Sequence, residues 1–190
     1  MLKVAVLVSG GGTNLQAIID AVITKQLPQV QIGLVISSTP TAYALERARK
    51  YGIKTIVISK KQFTNPSDQI LKLLNENKID LVVLAGYLGI LNGRILDEYK
   101  NKIINIHPAL LPKFGGPGMY GHHVHKAVIN ARENVSGCSV HYVTANVDGG
   151  KIILQKQVPV LPNDTPETLA ARVLIQEHLS LVQVLKKLSK

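Results

Sequence analysis

Lys3-Val4-Ala5-Val6-Leu7-Val8-Ser9-Gly10-Gly11-Gly12-Thr13-Asn14-Leu15 is the stretch from which the fold is read. Lys3 to Val8 is an apolar run with β-branched residues, the pattern of a strand buried on both faces. Three glycines stop it. From Asn14 to Thr24 the apolar residues Leu15, Ile18, Ile19 and Val22 recur at helical spacing. A buried strand, a glycine turn and a helix form the opening of a parallel α/β sheet.

Working outward, the same alternation continues. Val30 to Ile36 reads as a second strand, and Thr41 to Tyr51 as a helix that Gly52 stops. Ile53 to Ile58 is a third strand. Pro66 to Asn77 is a helix with proline at a favoured first-turn position. Asp80 to Ala85 is a fourth strand, closed by Gly86. Lys102 to Asn105 is a short strand, and Ile106 to His123 a long loop rich in Pro, Gly and His. Val124 to Ala131 reads as a helix. Cys138 to Thr144 and Ile152 to Pro159 are strands around Gly149-Gly150, which suggests an antiparallel pair. Thr165 to Leu188 is a long final helix, with Asp164 or Thr165 as its cap. The expected fold is a Rossmann-like, doubly wound α/β domain over residues 1–190. Its sheet is mostly parallel, with an antiparallel pair in the C-terminal half. Ligands of such sheets sit at the carboxyl ends of the strands.

Composition narrows the function classes. Hydrophobic residues make up 46% and charged residues 18%, the balance of a compact soluble protein. No apolar run reaches the ~18 residues of a membrane helix. The opening residues resemble the front of a signal peptide, but the glycines cut the run short and no small-residue cleavage site follows. The single Cys138 forms no internal disulfide and reads as a buried, inert thiol. This fits a cytoplasmic setting. The net charge of +10 admits nucleic acid as a partner, but there is no Trp and few aromatics for base stacking. The lysines are also dispersed, so a basic surface that steers small polyanions is the better reading.

The loop Ser9-Gly10-Gly11-Gly12-Thr13-Asn14 lets backbone N–H groups approach an anion at a helix N-terminus. A dinucleotide site needs a third glycine where Leu15 stands and an acid after strand two, where Ser37-Ser38 stand. The Gly-Lys-Ser/Thr of a triphosphate loop is absent too. A phosphate monoester fits best, beside the plainer reading of a glycine turn.

In Ile103-Ile104-Asn105-Ile106-His107-Pro108, residues two apart share one side of an extended chain, so Asn105 and His107 project together. A polar pair on an apolar strand is hard to explain as packing. Asp148 precedes Gly149-Gly150, which permit a tight path that aims its carboxylate inward; alone, Asp-Gly-Gly also reads as a turn. His122, His123 and His125 crowd the long loop without a diagnostic metal spacing, so no metal is expected. His141, between Val140 and Tyr142, reads as structural.

The segments Ser9 to Ala17, Val82 to Tyr87, Asn105 to Pro112, Ser139 to Val143, Asp148 to Gly150 and Ala171 to His178 together resemble the phosphoribosylglycinamide formyltransferases, in order along nearly the whole chain. The resemblance implies transfer of a formyl group from 10-formyltetrahydrofolate to the amine of glycinamide ribonucleotide, in the cytoplasm and without a metal. It implies Asn105, His107 and Asp148 as the catalytic set, with Asp148 raising the pKa of His107. It implies Gly11, Gly12, Thr13, Asn14 and Glu177 as substrate contacts. It places the folate against Leu88, Gly89, Ile90, Leu91 and Asn105. Partners are then two small molecules, with neither nucleic acid nor membrane, and a homodimer is compatible. Relatives often carry Arg where Gly89 stands and a basic residue near Pro66, a role that Lys60 and Lys61 are placed to take. Rival readings are formyltetrahydrofolate hydrolase, methionyl-tRNA formyltransferase and an inert nucleotide-binding module. The first two normally carry an extra domain that the reading finds no room for, and the intact Asn105, His107 and Asp148 speak against the third.

Overall fold

The structure is a computed structural model that describes residues 1–190. Its elements run β1 (Leu2–Val8), α1 (Thr13–Ile23), β2 (Val30–Ser37), α2 (Tyr43–Lys50), β3 (Thr55–Val57), α3 (Pro66–Glu76), β4 (Leu81–Leu84), α4 (Arg94–Glu98), β5 (Ile103–His107), α5 (His122–Asn130), β6 (Val135–Tyr142), β7 (Ile152–Pro159) and α6 (Pro166–Leu188). The strands form one seven-stranded sheet in the order β3-β2-β1-β4-β5-β6-β7. The pairs from β3 to β5 are parallel, and β6 joins β5 and β7 antiparallel. The expected doubly wound sheet with its antiparallel C-terminal pair is therefore observed.

Period-two alternation divides the core between the two faces. Val4, Val6 and Val8 of β1, with Ile104 and Ile106 of β5, pack with Leu15 and Ile18 of α1, Leu45 of α2 and Leu181 of α6. Ala5, Leu7, Val82 and Ile103 face the other way, onto Ile70 and Leu74 of α3 and Ile95 of α4. The chain moves outward from β1 through β2 to β3, then returns to the far side of β1 as β4. The connections leaving β1 and β4 diverge, and a crevice opens at their carboxyl ends.

Several boundaries differ from the pattern reading. The strand expected to end at Asn105 continues to His107, because Ile106 and His107 pair with Val140 and Ser139. That removes His107 from the long loop. β6 starts three residues earlier than expected, at Val135: Ser136 and Gly137 have weak strand preference but pair with Val158 and Gln157. It also stops at Tyr142, short of Thr144. β3 is only Thr55–Val57, an edge strand bonded to β2 alone. The helix expected from Val124 begins at His122, after Gly121. Helix α4 was not anticipated; five residues are too few to show a period.

The long helix α6 is amphipathic. Leu169, Val173, Leu181, Val184 and Leu185 are buried, and Glu177 lies in the same stripe. Its start is closed by a capping box: Thr165 Oγ1 accepts from the Thr168 N–H, and Thr168 Oγ1 accepts from the Thr165 N–H. Arg172 ties the same end to Asp164 through two hydrogen bonds. Thr165→Ala is expected to cost about 1 kcal/mol of unfolding free energy, and Thr165→Ser to cost much less. Urea denaturation of both variants checks this.

Candidate active site

At the end of β1 the chain turns through Ser9–Gly12 into α1. Gly12 is the N-cap residue, in the left-handed region at φ +72°. A Cβ there would lie 2.5 Å from the Ala44 Cβ, so both conformation and space require glycine. Helix α2 holds the turn from outside: the Ala44 N–H donates to the Gly10 carbonyl (3.1 Å) and Arg47 Nε to the Gly11 carbonyl (2.8 Å). No side chain caps α1, in contrast to α3 and α6, and its first turn carries no acid. The N–H groups of Gly11 to Leu15 find no acceptor within the chain. Unpaired N–H groups at a helix start attract an anion.

The carboxyl ends of β1, β4 and β5 open into a cavity of about 670 Å³. Ser9, Gly10 and Asn14 line it at the glycine turn. Gly11 and Thr13 are exposed beside it and Gly12 is half-buried. Asn14 Nδ2 donates to Glu177 Oε2 (2.7 Å), which joins α1 to α6, while Asn14 Oδ1 is buried without a partner. Burial raises the Glu177 carboxyl above its ordinary pKa, against the lowering effect of the Asn14 bond.

Asn105 and His107 share the face of β5 that carries Ile103, and antiparallel pairing sets His141 directly opposite Asn105. Asn105 Nδ2 lies 3.1 Å from His141 Nε2. The His141 Nδ1–H donates to the Tyr142 carbonyl (2.9 Å), which leaves Nε2 facing Asn105 and Asp148. The His107 Nε2–H donates to the Phe114 carbonyl (2.8 Å), which turns Nδ1 toward Asp148.

Asp148 arrives from the β6–β7 connection. Its turn is closed by the Gly149 N–H on the Asn146 carbonyl, with Asp148 itself at φ +55°. A Cβ on Gly150 would meet the Tyr142 carbonyl oxygen at 1.7 Å, so glycine lets this connection pass against β6. Asp148 Oδ2 accepts from the Gly116 N–H (2.9 Å) and lies 3.5 Å from His107 Nδ1. Its Oδ1 lies 3.4 Å from His141 Nε2 and 3.5 Å from Asn105 Nδ2. Burial alone would raise this carboxyl, yet bonds from His141 and Gly116 and the facing His107 together hold it below the ordinary carboxylate value.

Two expectations change here. Asp148 does push His107 upward, but burial outweighs it and the pKa of His107 is lowered. The imidazole is therefore neutral at rest beside an ionised carboxylate. His141 is not merely structural: it lines the cavity and contacts both Asn105 and Asp148. Alternation placed it on one face of its strand; only the register with β5 showed which face.

The wall after β4 is formed by Leu88, Gly89, Ile90 and Leu91. Leu88 and Ile90 are exposed at the cavity and Leu91 is buried. The Leu88 N–H donates to Ser9 Oγ (2.9 Å), and Ser9 Oγ also bonds Ser38 Oγ (2.6 Å), so one hydroxyl links wall and glycine turn. The Tyr87 ring lies 2.6 Å from where a Cβ on Gly89 would stand; a larger residue there requires Tyr87 to move. Lys60, Lys61 and Pro66 are not among the lining residues, and Pro66 is the first residue of α3. His122 to His125 lie on α5, and no three His, Cys, Asp or Glu side chains converge as a metal-ligand set. Cys138 is buried and its thiol is pushed up to about 11, as expected of an inert thiol.

Comparison with known proteins places this geometry. Residues 2–185 match the family model described as "Formyl transferase". Phosphoribosylglycinamide formyltransferase of Dictyostelium discoideum is 42% identical, over 98% of this chain and 98% of that protein. The protein of the same name from Haemophilus influenzae is 43% identical, over 94% of this chain and 82% of that one. A trifunctional purine biosynthetic protein, adenosine-3, of Drosophila pseudoobscura is 44% identical, but the chain spans only 14% of its length. The crystal structure of glycinamide ribonucleotide transformylase 1 from Symbiobacterium toebii matches with a TM-score of 0.93 and 38% identity, covering 100% of this chain and 88% of that one.

Burial also makes the site a source of acid sensitivity. His125, a cavity residue with Nδ1 buried and unpartnered, is pushed down to about 4 by burial and by the nearby His122 and His107. The unfolded ring takes a proton below about 6.5 and the folded ring resists it. Stability is therefore full above that pH and falls as pH drops toward 4, by on the order of 2–3 kcal/mol from this residue. His125→Gln is expected to make urea stability less pH-dependent between pH 6.5 and 4.

Proposed function

Because this chain belongs to the formyl transferase family, among its phosphoribosylglycinamide formyltransferases, we propose that it transfers the formyl group of 10-formyltetrahydrofolate to the amine of glycinamide ribonucleotide. The products are formylglycinamide ribonucleotide and tetrahydrofolate, in purine biosynthesis. The observation that carries this reading is the convergence of Asn105, His107 and Asp148 in one cavity, with a glycine turn presenting unpaired N–H groups beside it.

The nucleotide's phosphate binds the N–H groups of Gly11, Gly12, Thr13 and Asn14, and Glu177 takes a polar contact further along the substrate. The pterin lies against Leu88 to Leu91, whose apolar side chains exclude water while backbone groups read its edge. The amine attacks the formyl carbon and the carbonyl oxygen becomes an oxyanion. Asn105 Nδ2 and His107 Nε2 donate to that oxyanion, His107 exchanging the Phe114 carbonyl for it. The attacking nitrogen loses a proton, the oxyanion collapses, and the folate nitrogen leaves and takes up a proton. With its Nε2–H on the oxyanion, His107 takes up the proton of the attacking nitrogen at Nδ1, beside the ionised Asp148 that stabilises the imidazolium, and passes it to the leaving folate nitrogen. No step is routed through a metal. These are reactions of freely diffusing small molecules, and with the single buried thiol they suit a cytoplasmic enzyme.

Purified protein given both substrates is expected to form the formylated ribonucleotide. Formate release that proceeds at the same rate without the ribonucleotide indicates a hydrolase instead. Asn105→Ala is expected to lower kcat by on the order of 10²–10³, and His107→Ala to abolish transfer with an unchanged far-ultraviolet circular dichroism spectrum. Near-normal turnover by His107→Ala rejects the mechanism.

A further inference from the structure

A phosphate monoester is a dianion near neutral pH, yet the cavity wall contains no Lys or Arg. Its ionisable lining includes two acids, Asp148 and Glu177. The glycine turn from Ser9 to Asn14 carries no charged side chain either. A site for this ligand needs positive charge from somewhere else. Resting on the proposed function, we infer that Arg47 of α2 is the counter-charge of the phosphate site and acts as a positioning residue through the Gly11 peptide.

Arg47 is set for that role. Its Nε donates to the Gly11 carbonyl (2.8 Å) and its Nη1 to Gln16 Oε1 (3.2 Å), so the guanidinium braces the turn against the first helix. Its guanidinium carbon lies 5.0 Å from the centre of the Tyr43 ring, a cation–π contact that holds the group in place. It forms no ion pair, although the adjacent Glu46 pairs with Arg49. Its charge is thus not neutralised by a carboxylate and remains available to a ligand.

The peptide geometry supplies the link. In a trans peptide the carbonyl and the following N–H point in opposite directions. The Gly10 and Gly11 carbonyls are drawn to α2 by the Ala44 N–H and by Arg47. The N–H groups of Gly11 and Gly12 therefore point away from α2, and neither has an acceptor in the chain. A cation bonded to the Gly11 carbonyl polarises that peptide and makes the Gly12 N–H a stronger donor. One side chain thus orients the donors and supplies the charge that the lining lacks.

The test uses ribose 5-phosphate, the phosphoester end of the proposed substrate without its amine, titrated calorimetrically into the full chain. Arg47→Met is expected to weaken binding by about tenfold to a hundredfold, the range for losing a charged hydrogen-bond donor. Arg47→Lys is expected to recover part of the loss, and Tyr43→Leu, which frees the guanidinium without touching the turn, to give a smaller one. Wild-type binding weakens as sodium chloride rises, and this dependence is expected to flatten in Arg47→Met. In turnover, the loss falls on the KM for the ribonucleotide and not on the KM for the folate. Equal affinity of wild type and Arg47→Met overturns the inference, as does an unchanged salt dependence or failure of the wild type to bind ribose 5-phosphate. If Arg47→Met does not fold, the Arg47→Lys and Tyr43→Leu titrations decide, and wild-type affinity in both overturns it. Failure of wild-type protein to transfer formyl groups counts against the proposed reaction alone, because the titration needs no turnover.

Discussion

The Asp148 carboxylate meets four nitrogens: the backbone of Gly116 and the side chains of Asn105, His107 and His141. These groups come from β5, from β6 and from the loop after β5, and the carboxylate, on the β6–β7 connection, is where they are brought into register. Each oxygen alone would be costly to bury. Shared among these neighbours, the group stays ionised although burial opposes it. The ring orientations follow from the same arrangement. Carbonyls of Phe114 and Tyr142 take one N–H from each histidine, so the remaining nitrogens face Asp148. The site is therefore a network in which the state of one member sets the others, and its parts are not independent contributions.

The two ends of the helical layer show how the chain divides stability from function. Helix α6 has a satisfied start, with a capping box and the Asp164–Arg172 pair. Helix α1 starts with nothing on its first N–H groups. Unsatisfied donors are a cost in the free protein and a binding surface in the presence of an anion. Placing the open end at the carboxyl edge of β1, where the strand order reverses, puts it beside the Asn105–His107–Asp148 network. Ser9 closes the arrangement by joining the glycine turn to Leu88 through a single hydroxyl.

Much of this was legible in the chain itself. Runs such as Val4–Val8 and Leu81–Leu84 have no polar face, and only a sheet covered on both sides buries them. The glycines before α1 stand out because they interrupt a strand-to-helix pattern, and the polar pair Asn105 and His107 because packing does not require it. Glu177 was legible only through the resemblance, although an acid in the buried stripe of an amphipathic helix is itself a signal. Other features were hidden. Helix α4 is shorter than any period that reveals a helix, and the start of β6 contains Ser136 and Gly137, which few strands favour.

Local pattern along the chain determined most of the strands and helices and which of their residues share a face, because periodicity is a property of neighbouring residues. It also determined that Asn105 and His107 project together. Only the tertiary structure decided that His141 stands opposite Asn105, since register is a relation between distant segments. It alone showed that burial overrides Asp148 in setting the His107 pKa, because desolvation depends on everything packed around the ring. And it alone placed Arg47 behind the Gly11 carbonyl, 36 residues away in the chain, where the glycine turn by itself carries no charge.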